Sequence, residues 1–558
     1  MDRGNFGQLQ AARDFLFERR TDYDGARRDF RWPAFTRFNF AEDWFDVIAA
    51  NNDAEALRVL SDDGAATSRS FAELSCESKR IANFLRSLGM RNGDPVLLVM
   101  GNMVPLWESM LALIRLGAVI IPATPLLSAS DISDRIERGG VRFVIAQRDY
   151  VERFEHGAWT GIVTDGVAPG WSSLDEARGF ADQFTADRPT DADDPMMLYF
   201  TSGTTAKAKL VVHSHTSYPV GHLSTMYWIG LKRGDRHLNI SSPGWAKHAW
   251  SCLFAPWLAE AAIIVLDHAR FDVRKTLDLL VNEKITTFCA PPTVWRMLVQ
   301  EDLAAWPVTV RELLSAGEPL NPEIIERIRE AWGVTIRDGF GQTETSVMIA
   351  NTPGQPVLAG KVGRPLPGFE VDLLDQEGRF ADEGQIVISL KPARPVGLMA
   401  GYRENDVLRP LAGDYHLTGD IASRDADGLF TYIGRADDVF KSSDYRISPF
   451  ELESALIEHP LVLEVAVVPS PDPVRLAVPK AFITLVPGTA PTAESARAIL
   501  LHARTVLGPF KRIRRIEFAD LPKTISGKIR RIELQRLERQ RHEDGTSSAQ
   551  SWTEDDLI

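Results

Sequence analysis

Apolar residues recur at helical spacing from about residue 71. Leu74, Ile81, Leu85 and Leu88 share one face, and Gly89 stands where a left-handed cap would end the helix. Asn92, Gly93 and Asp94 then turn the chain into an apolar strand at 96–100. A second helical segment, 104–116, stops at Gly117 before another strand at 118–122. Strand, helix, strand with short punctuated links is a βαβ unit and predicts a parallel sheet. Residues 143–146, 262–266 and 286–290 predict further strands.

The pattern changes beyond residue 363. Short strands with Gly and Pro punctuation dominate to about residue 432 and predict a β-rich subdomain. Ser448-Pro449-Phe450-Glu451 has the form of a capping box with proline at the first helical position, and its helix should end before His459-Pro460. The polar, acidic residues after 542 read as disordered. No internal repeat is visible.

At 558 residues the chain exceeds one ordinary domain. With 44% hydrophobic and 25% charged residues it has the make-up of a soluble globular protein, and a formal charge of −13 argues against general nucleic-acid binding. The three cysteines, Cys76, Cys252 and Cys289, lack C-x-x-C spacing, so a reducing cytoplasm is expected, with neither a disulfide framework nor a zinc site. The first twenty residues are too charged for a signal peptide. The longest apolar region, 96–127, is broken by Pro105, Glu108, Arg115 and Pro122, so no membrane span is expected.

Candidate chemistry begins at YFTSGTTAKAKLVVHSH, residues 199–215. Thr201, Ser202, Thr204 and Thr205 supply hydroxyl donors, Gly203 frees the backbone to curl, and Lys207 and Lys209 add positive charge. Such a turn presents several donors to one small anion, most plausibly a polyphosphate. The GxxxxGK[ST] spacing of a Walker loop is absent. Further along stand the Gly-rich DGFGQTE (338–344), SAGEP (315–319), TGD (418–420) with GRADD (434–438), SSDYRISPFELE (442–453) and LPKTISGK (521–528).

Together and in this order, these motifs resemble the adenylate-forming superfamily of acyl- and aryl-CoA synthetases over roughly residues 70–535. LKPARPVGLMAGY (390–402) and SPDPVR (470–475) are most similar to its medium-chain acyl-CoA synthetase branch. The resemblance implies an α/β fold. A large N-terminal domain (1–436) would carry parallel sheets, a β-rich subdomain, and AMP- and acyl-binding residues. A small mobile α+β domain (437–541) would follow, hinged at Asp437, with 542–558 as the disordered tail.

The resemblance also implies roles. Thr201, Ser202, Gly203, Thr204, Thr205 and Lys209 would hold phosphates. Gly317, Glu318 and Pro319 would lie against adenine, with Asp338, Phe340 and Gln342 in the same nucleotide site. Thr343 would contact the AMP phosphate, and Glu344 would help hold Mg²⁺, which prefers oxygen ligands. Asp420 would accept from both ribose hydroxyls, with Arg435 close by. Lys528 would stabilise the charge that builds up as the carboxylate attacks the α-phosphate. Asp444, Tyr445 and Arg446 would lie along the CoA path.

The expected acyl pocket is formed by Trp245, Ala246, Lys247, His248, Ala316 and Gly341. Small residues at 246, 316 and 341 predict room for an acid larger than acetate, and Trp250 should lie nearby. His248 reads equally as a structural histidine or a substrate contact.

Four departures complicate this picture. Ala206 and Ala208 stand where the phosphate loop has glycine and proline, Asp444 replaces a glycine, and Leu476-Ala477 replaces Gly-Glu. The two loop alanines remove backbone freedom at one position and rigidity at another, and so predict weak or lost adenylation with thioester formation retained. Expected ligands are ATP with Mg²⁺ or a preformed acyl-AMP, a carboxylic acid, and CoA. A separate adenylating enzyme is the partner the impaired version would need. The alternatives are a complete two-step ligase and a non-catalytic nucleotide- or acyl-binding homologue.

Overall fold

The computed structural model describes residues 3–201, 208–267, 271–318, 320–442, 445–473, 475–523 and 529–558. The chain divides into two compact units. The first comprises Met1–Val371, Ile388–His416 and Ala426–Phe430; the second comprises Asp372–Val387, Leu417–Asp425 and Thr431–Ile558. This partition differs from the expected division at residue 436. The strands Val371–Leu374, Glu383–Ser389, Tyr415–Arg424 and Phe430–Arg435 hydrogen-bond into one sheet, and two pieces of the β-rich segment, Asp372–Val387 and Leu417–Asp425, go with the second unit.

The first unit has the expected α/β character and is built on two nine-stranded sheets. In one, the neighbours from Pro195–Thr201 through Val119–Ala123, Pro95–Val99, Phe143–Ala146 and Thr160–Val163 to Ser172–Ser173 run parallel. The predicted βαβ unit is there. Leu97 pairs with Ile121, and the crossover helix Val104–Leu116 ends at left-handed Gly117 (φ 70°). The helix Phe71–Ser87 starts from a complete capping box between Ser70 and Glu73. Leu97, Val99, Ile121, Val144, Leu198 and Val212 form a buried core along this sheet.

The other edge of this sheet is antiparallel: Lys209–Ser214 lies between Pro195–Thr201 and Gly401–Glu404. The second sheet runs Glu312–Ala316 parallel to Ile336–Gly341, which then turns back into Val347–Ala350. Both edges deliver short loops that carry the predicted motifs.

In the second unit, Val462–Asp472, Leu476–Leu485, Arg515–Phe518 and Ser551–Thr553 form a four-stranded sheet. Ile447, Leu452, Val467, Ile483, Leu500 and Ile516 are core residues there. The helix Pro449–Ile457 begins at Ser448 as predicted, but only half of the capping box forms. The Ser448 hydroxyl accepts from the Glu451 amide, while the Glu451 carboxylate pairs with Lys511. Lys480 is buried between Glu517 (2.8 Å) and Glu538 (2.6 Å), and Arg541 bonds Glu517 at 2.7 Å, so these desolvated charges are compensated.

The expected disordered tail is a correction. Ser551–Thr553 adds a strand beside Arg515–Phe518, and Glu554 is buried, its carboxylate paired with Arg504 (2.6 Å) and Arg514. An acidic composition read as solvated turns out to meet two arginines and the edge of a sheet.

Leu476 opens a hairpin strand with φ 65° and its side chain 73% exposed. A left-handed conformation suits glycine, the residue that the resemblance places here, and strains a leucine that gains no packing in return. Leu476→Gly should stabilise the second unit by about 1 kcal/mol, read as a later thermal transition. An unchanged or earlier transition contradicts the strain.

Candidate functional site

Antiparallel pairing fixes the base of the predicted phosphate loop. Thr201 faces Lys209 and Phe200 faces Leu210 across the hairpin. Ser202, Gly203, Thr204, Thr205, Ala206 and Lys207 lie outside the described residues, whereas Thr201, Ala208 and Lys209 lie within them. The Lys209 ammonium sits 5.2 Å from the centre of the Tyr402 ring. Tyr402 comes from the neighbouring strand, opposite Val211, and its hydroxyl donates to Glu344 Oε1 at 3.0 Å. One aromatic side chain thus touches both the last basic residue of the loop and the carboxylate expected to hold metal.

Thr343 and Glu344 occupy the turn between Ile336–Gly341 and Val347–Ala350, and several bonds pin that turn. The Gln342 amide donates to Thr345 Oγ1 (2.9 Å), the Met399 amide donates to the Glu344 carbonyl (2.8 Å), and the Ser346 amide to the Gly397 carbonyl (2.9 Å). His213 adds a longer-range tie: its Nε2 lies 2.7 Å from the Thr343 carbonyl and its Nδ1 lies 3.2 Å from Ser217 Oγ. Because a carbonyl only accepts, Nε2 carries the hydrogen. Burial pushes the imidazole down to about 3, so it is neutral at ordinary pH. Sequence reasoning passed over His213; its place in the HSH end of the phosphate-loop motif was the available signal.

Around the expected adenine site, Gly317 has φ 106° and open space where a Cβ would stand. That conformation favours glycine and leaves a bare peptide face, as a flat base requires. Glu318 lies 3.8 Å from Arg296, and Pro319 is outside the described residues. Phe340 continues the strand opposite Ile349. Asp338 pairs in register with Ser315, and its Oδ1 accepts from the Gly339 amide at 2.9 Å. Burial raises its carboxyl to about 7, against the opposing pull of the Gly339 and Leu320 amides and of Lys247.

The expected acyl residues converge, with one change of meaning. Trp245 caps the short helix Ala246–Ala249. Lys247 Nζ donates to the Ala316 carbonyl at 3.1 Å, and burial lowers its ammonium below the usual range. His248 packs 5.6 Å from Trp107 and shares a 3.1 Å hydrogen bond with Asn102, and burial takes it down to about 3. These contacts hold one ring nitrogen, while Nδ1 is buried without a hydrogen-bond partner among the described residues.

Gly341, expected to open the pocket, is closely packed. A Cβ there would stand 2.8 Å from Trp250 Cη2 and 2.5 Å from the Ser346 carbonyl oxygen. The missing side chain is replaced by the Trp250 indole, whose Nε1 donates to Tyr218 Oη (3.0 Å). The Tyr218 hydroxyl donates in turn to the Ala246 carbonyl (3.3 Å). The glycine therefore admits an aromatic wall, where the sequence suggested empty space.

In the second unit, Asp420 is buried. It accepts from the Tyr432 hydroxyl on Oδ1 (2.9 Å) and pairs with Arg435 through Oδ2 (3.4 Å). Gly419, at φ 76°, makes the turn that brings Arg435 this close; a Cβ there would meet Arg435 Nη2 at 3.0 Å. Arg435 also reaches Asp437 (3.4 Å). Nearby, Arg531 joins Asp438 (3.3 Å) and Glu453. Asp444 and Lys528 are outside the described residues, as are the side chains of Tyr445 and Arg446.

The chain matches the family described as AMP-binding enzyme over residues 45–403, and the AMP-binding enzyme C-terminal domain over 451–528. It is 39% identical to 4-hydroxybutyrate–CoA ligase 1 of Metallosphaera sedula over 525 residues, 91% of this chain and 92% of that one. It is 36% identical to the mitochondrial acyl-coenzyme A synthetase ACSM3 of Mus musculus, with 93% of each covered. Among solved structures it is similar to the anthranilate CoA ligase AuaEII in complex with anthranoyl-AMP (TM-score 0.81, 28% identity, 91% of this chain and 98% of that one). It is also similar to a benzoate CoA ligase from Burkholderia xenovorans LB400 (TM-score 0.77, 29% identity, 89% and 100% covered).

The raised carboxyl of Asp338 has a measurable consequence. Between its ordinary value of 3.8 and about 7, the folded state holds a proton that the unfolded chain has released. Stability from this group is complete below that window and is lost as pH rises through it. Asp338→Asn should flatten this decline, so that thermal midpoints of mutant and parent diverge as pH goes from 5 to 8. Parallel pH profiles would contradict the assignment.

Proposed function

Because the chain belongs to the AMP-binding enzyme family, we propose that it is an acid–CoA ligase carrying both half-reactions on one chain, the first slowed by its altered phosphate loop. Acid and ATP give acyl-AMP and pyrophosphate, and CoA then displaces AMP to give the thioester. The contact chain Lys209–Tyr402–Glu344 carries this proposal, because it couples the phosphate loop to a carboxylate suited to a hard cation. Mg²⁺ fits a site of this kind: it keeps several waters and needs only one or two protein carboxylates beside substrate phosphates. Glu344 would hold it, and the ion would offset charge on the phosphates.

The chain's own residues do the rest. Asp420, oriented by Tyr432 and Arg435, is prepared to accept from a ribose diol. Gly317 offers its peptide face to adenine, and Thr343 presents its hydroxyl to the α-phosphate. Lys528 would meet the negative charge of adenylation, and CoA would enter along 444–446. Small Ala246 and Ala316, and the likeness to 4-hydroxybutyrate, anthranilate and benzoate CoA ligases, favour an acid larger than acetate, bulky or medium-chain, although Trp250 fills the space beside Gly341. Free Cys76, Cys252 and Cys289 support a reducing compartment, taken here as the cytoplasm. No described helix is long and apolar enough to cross a membrane. A separate adenylating enzyme becomes necessary only if the first step is lost outright.

Acid-dependent pyrophosphate exchange tests this directly, with 4-hydroxybutyrate, butyrate, octanoate and benzoate as the acid panel. Exchange should be measurable but slower than conversion of preformed acyl-AMP and CoA to thioester. Ala206→Gly with Ala208→Pro should recover up to about 2 kcal/mol, or roughly 30-fold in exchange, and leave the thioester step unchanged. Exchange faster than the thioester step would remove the slowed-loop component, and none from either protein with any acid would reject adenylation on this chain.

Tyr402→Phe deletes the hydroxyl on Glu344 while keeping the ring under Lys209. The Mg²⁺ concentration giving half-maximal exchange should rise about fivefold, with the rate recovered at saturating Mg²⁺. An unaltered Mg²⁺ curve would detach Tyr402 and Glu344 from metal binding.

A further inference from the structure

We propose that Arg138 is a positioning residue for the polyphosphate loop, holding by its guanidinium the backbone that a proline at 208 would otherwise stiffen. This rests on the assignment of residues 201–209 to that loop. Arg138 stands in the last turn of the helix Ala129–Gly139, which Gly140 ends in a left-handed cap. Its side chain touches both flanks of the loop. On the far flank, Nη2 donates to the carbonyl oxygen of Ala208. On the near flank, its Cζ lies 5.4 Å from the ring centre of Phe200, the residue before Thr201.

The guanidinium is itself held. Asp134, one helical turn earlier, pairs with Nη1 at 3.3 Å. Arg135 covers the same Phe200 ring at 5.2 Å and donates to the Asp131 carbonyl at 3.0 Å. One side chain thus bridges Phe200 and Ala208, which flank the Thr201–Lys209 pair of the hairpin.

Proline and arginine act here on the same residue by different torsions. Proline fixes φ, whereas a held carbonyl fixes the orientation of the following peptide plane and therefore ψ. Either removes one soft torsion at the point where the loop rejoins the strand. A charge-assisted bond to a carbonyl is strong enough to do so, and the stacked ring keeps the guanidinium in place. Arginine at 138 would thereby offset part of the rigidity lost at Ala208.

Such a role shows in ATP affinity and spares AMP, because only ATP carries the β- and γ-phosphates that the loop holds. Calorimetric titrations with MgATP and with AMP would be made on the parent, Arg138→Ala, Ala208→Pro, the double variant and Thr205→Ala. Arg138→Ala should weaken MgATP about tenfold and leave AMP within about twofold. Ala208→Pro should restore most of that loss in the Arg138→Ala background and add less to the parent, since both changes act on one residue.

Equal losses for MgATP and AMP, or a lowered thermal midpoint with no recovery by proline, would make Arg138 merely structural and overturn the proposal. A selective MgATP loss that proline fails to restore would also overturn it, in favour of direct phosphate contact. If Thr205→Ala weakens MgATP while Arg138→Ala does not, the positioning role alone fails. If neither changes MgATP affinity, the loop assignment itself fails.

Discussion

A neutral histidine in a dry interior must give its N–H to something, and in this protein His213 gives it to the Thr343 carbonyl. Residues 130 positions apart are joined by that bond. It ties the strand leaving the phosphate loop to the turn bearing Thr343 and Glu344, so two motifs from different sheets keep one spacing. A protonated imidazole would pay heavily for desolvation at that depth, so the tie holds across the ordinary pH range.

Much of the first unit's site hangs from the same short strand. Lys209–Ser214 is paired on both sides, and each neighbour delivers a side chain: Phe200 under the arginines of the helix Ala129–Gly139, and Tyr402 between Lys209 and Glu344. Cations are set on rings and carbonyls, and carboxylates on hydroxyls. In the second unit Asp420 follows the same rule, with Tyr432 and Arg435 as its partners. Groups held in this way lose little further freedom when a ligand arrives, which is the physical content of preorganisation.

Small residues have to be judged by what fills the space they vacate. Gly341 read as an opening, yet Trp250 occupies the position and Ser346 closes it from behind. The polar tail read as disordered, yet it closes a sheet because Arg504 and Arg514 meet Glu554. Both differences have one cause. Composition describes a residue's own preference, whereas packing depends on partners tens or hundreds of positions away.

Much was legible in the chain alone. Helices and strands around Gly89, Gly117 and Ser448 follow from periodicity and capping, because these are local interactions among residues a few positions apart. Motif order identified the family, and with it the chemistry expected of Glu344, Asp420 and Lys528. Only the tertiary structure decided that Asp338, though half-buried, would be desolvated enough to raise its carboxyl to about 7, that Lys247 would reach the Ala316 carbonyl, and that Arg138 would span Phe200 and Ala208. Desolvation and long-range hydrogen bonds depend on which distant segments come together, and no spacing along a chain encodes that directly.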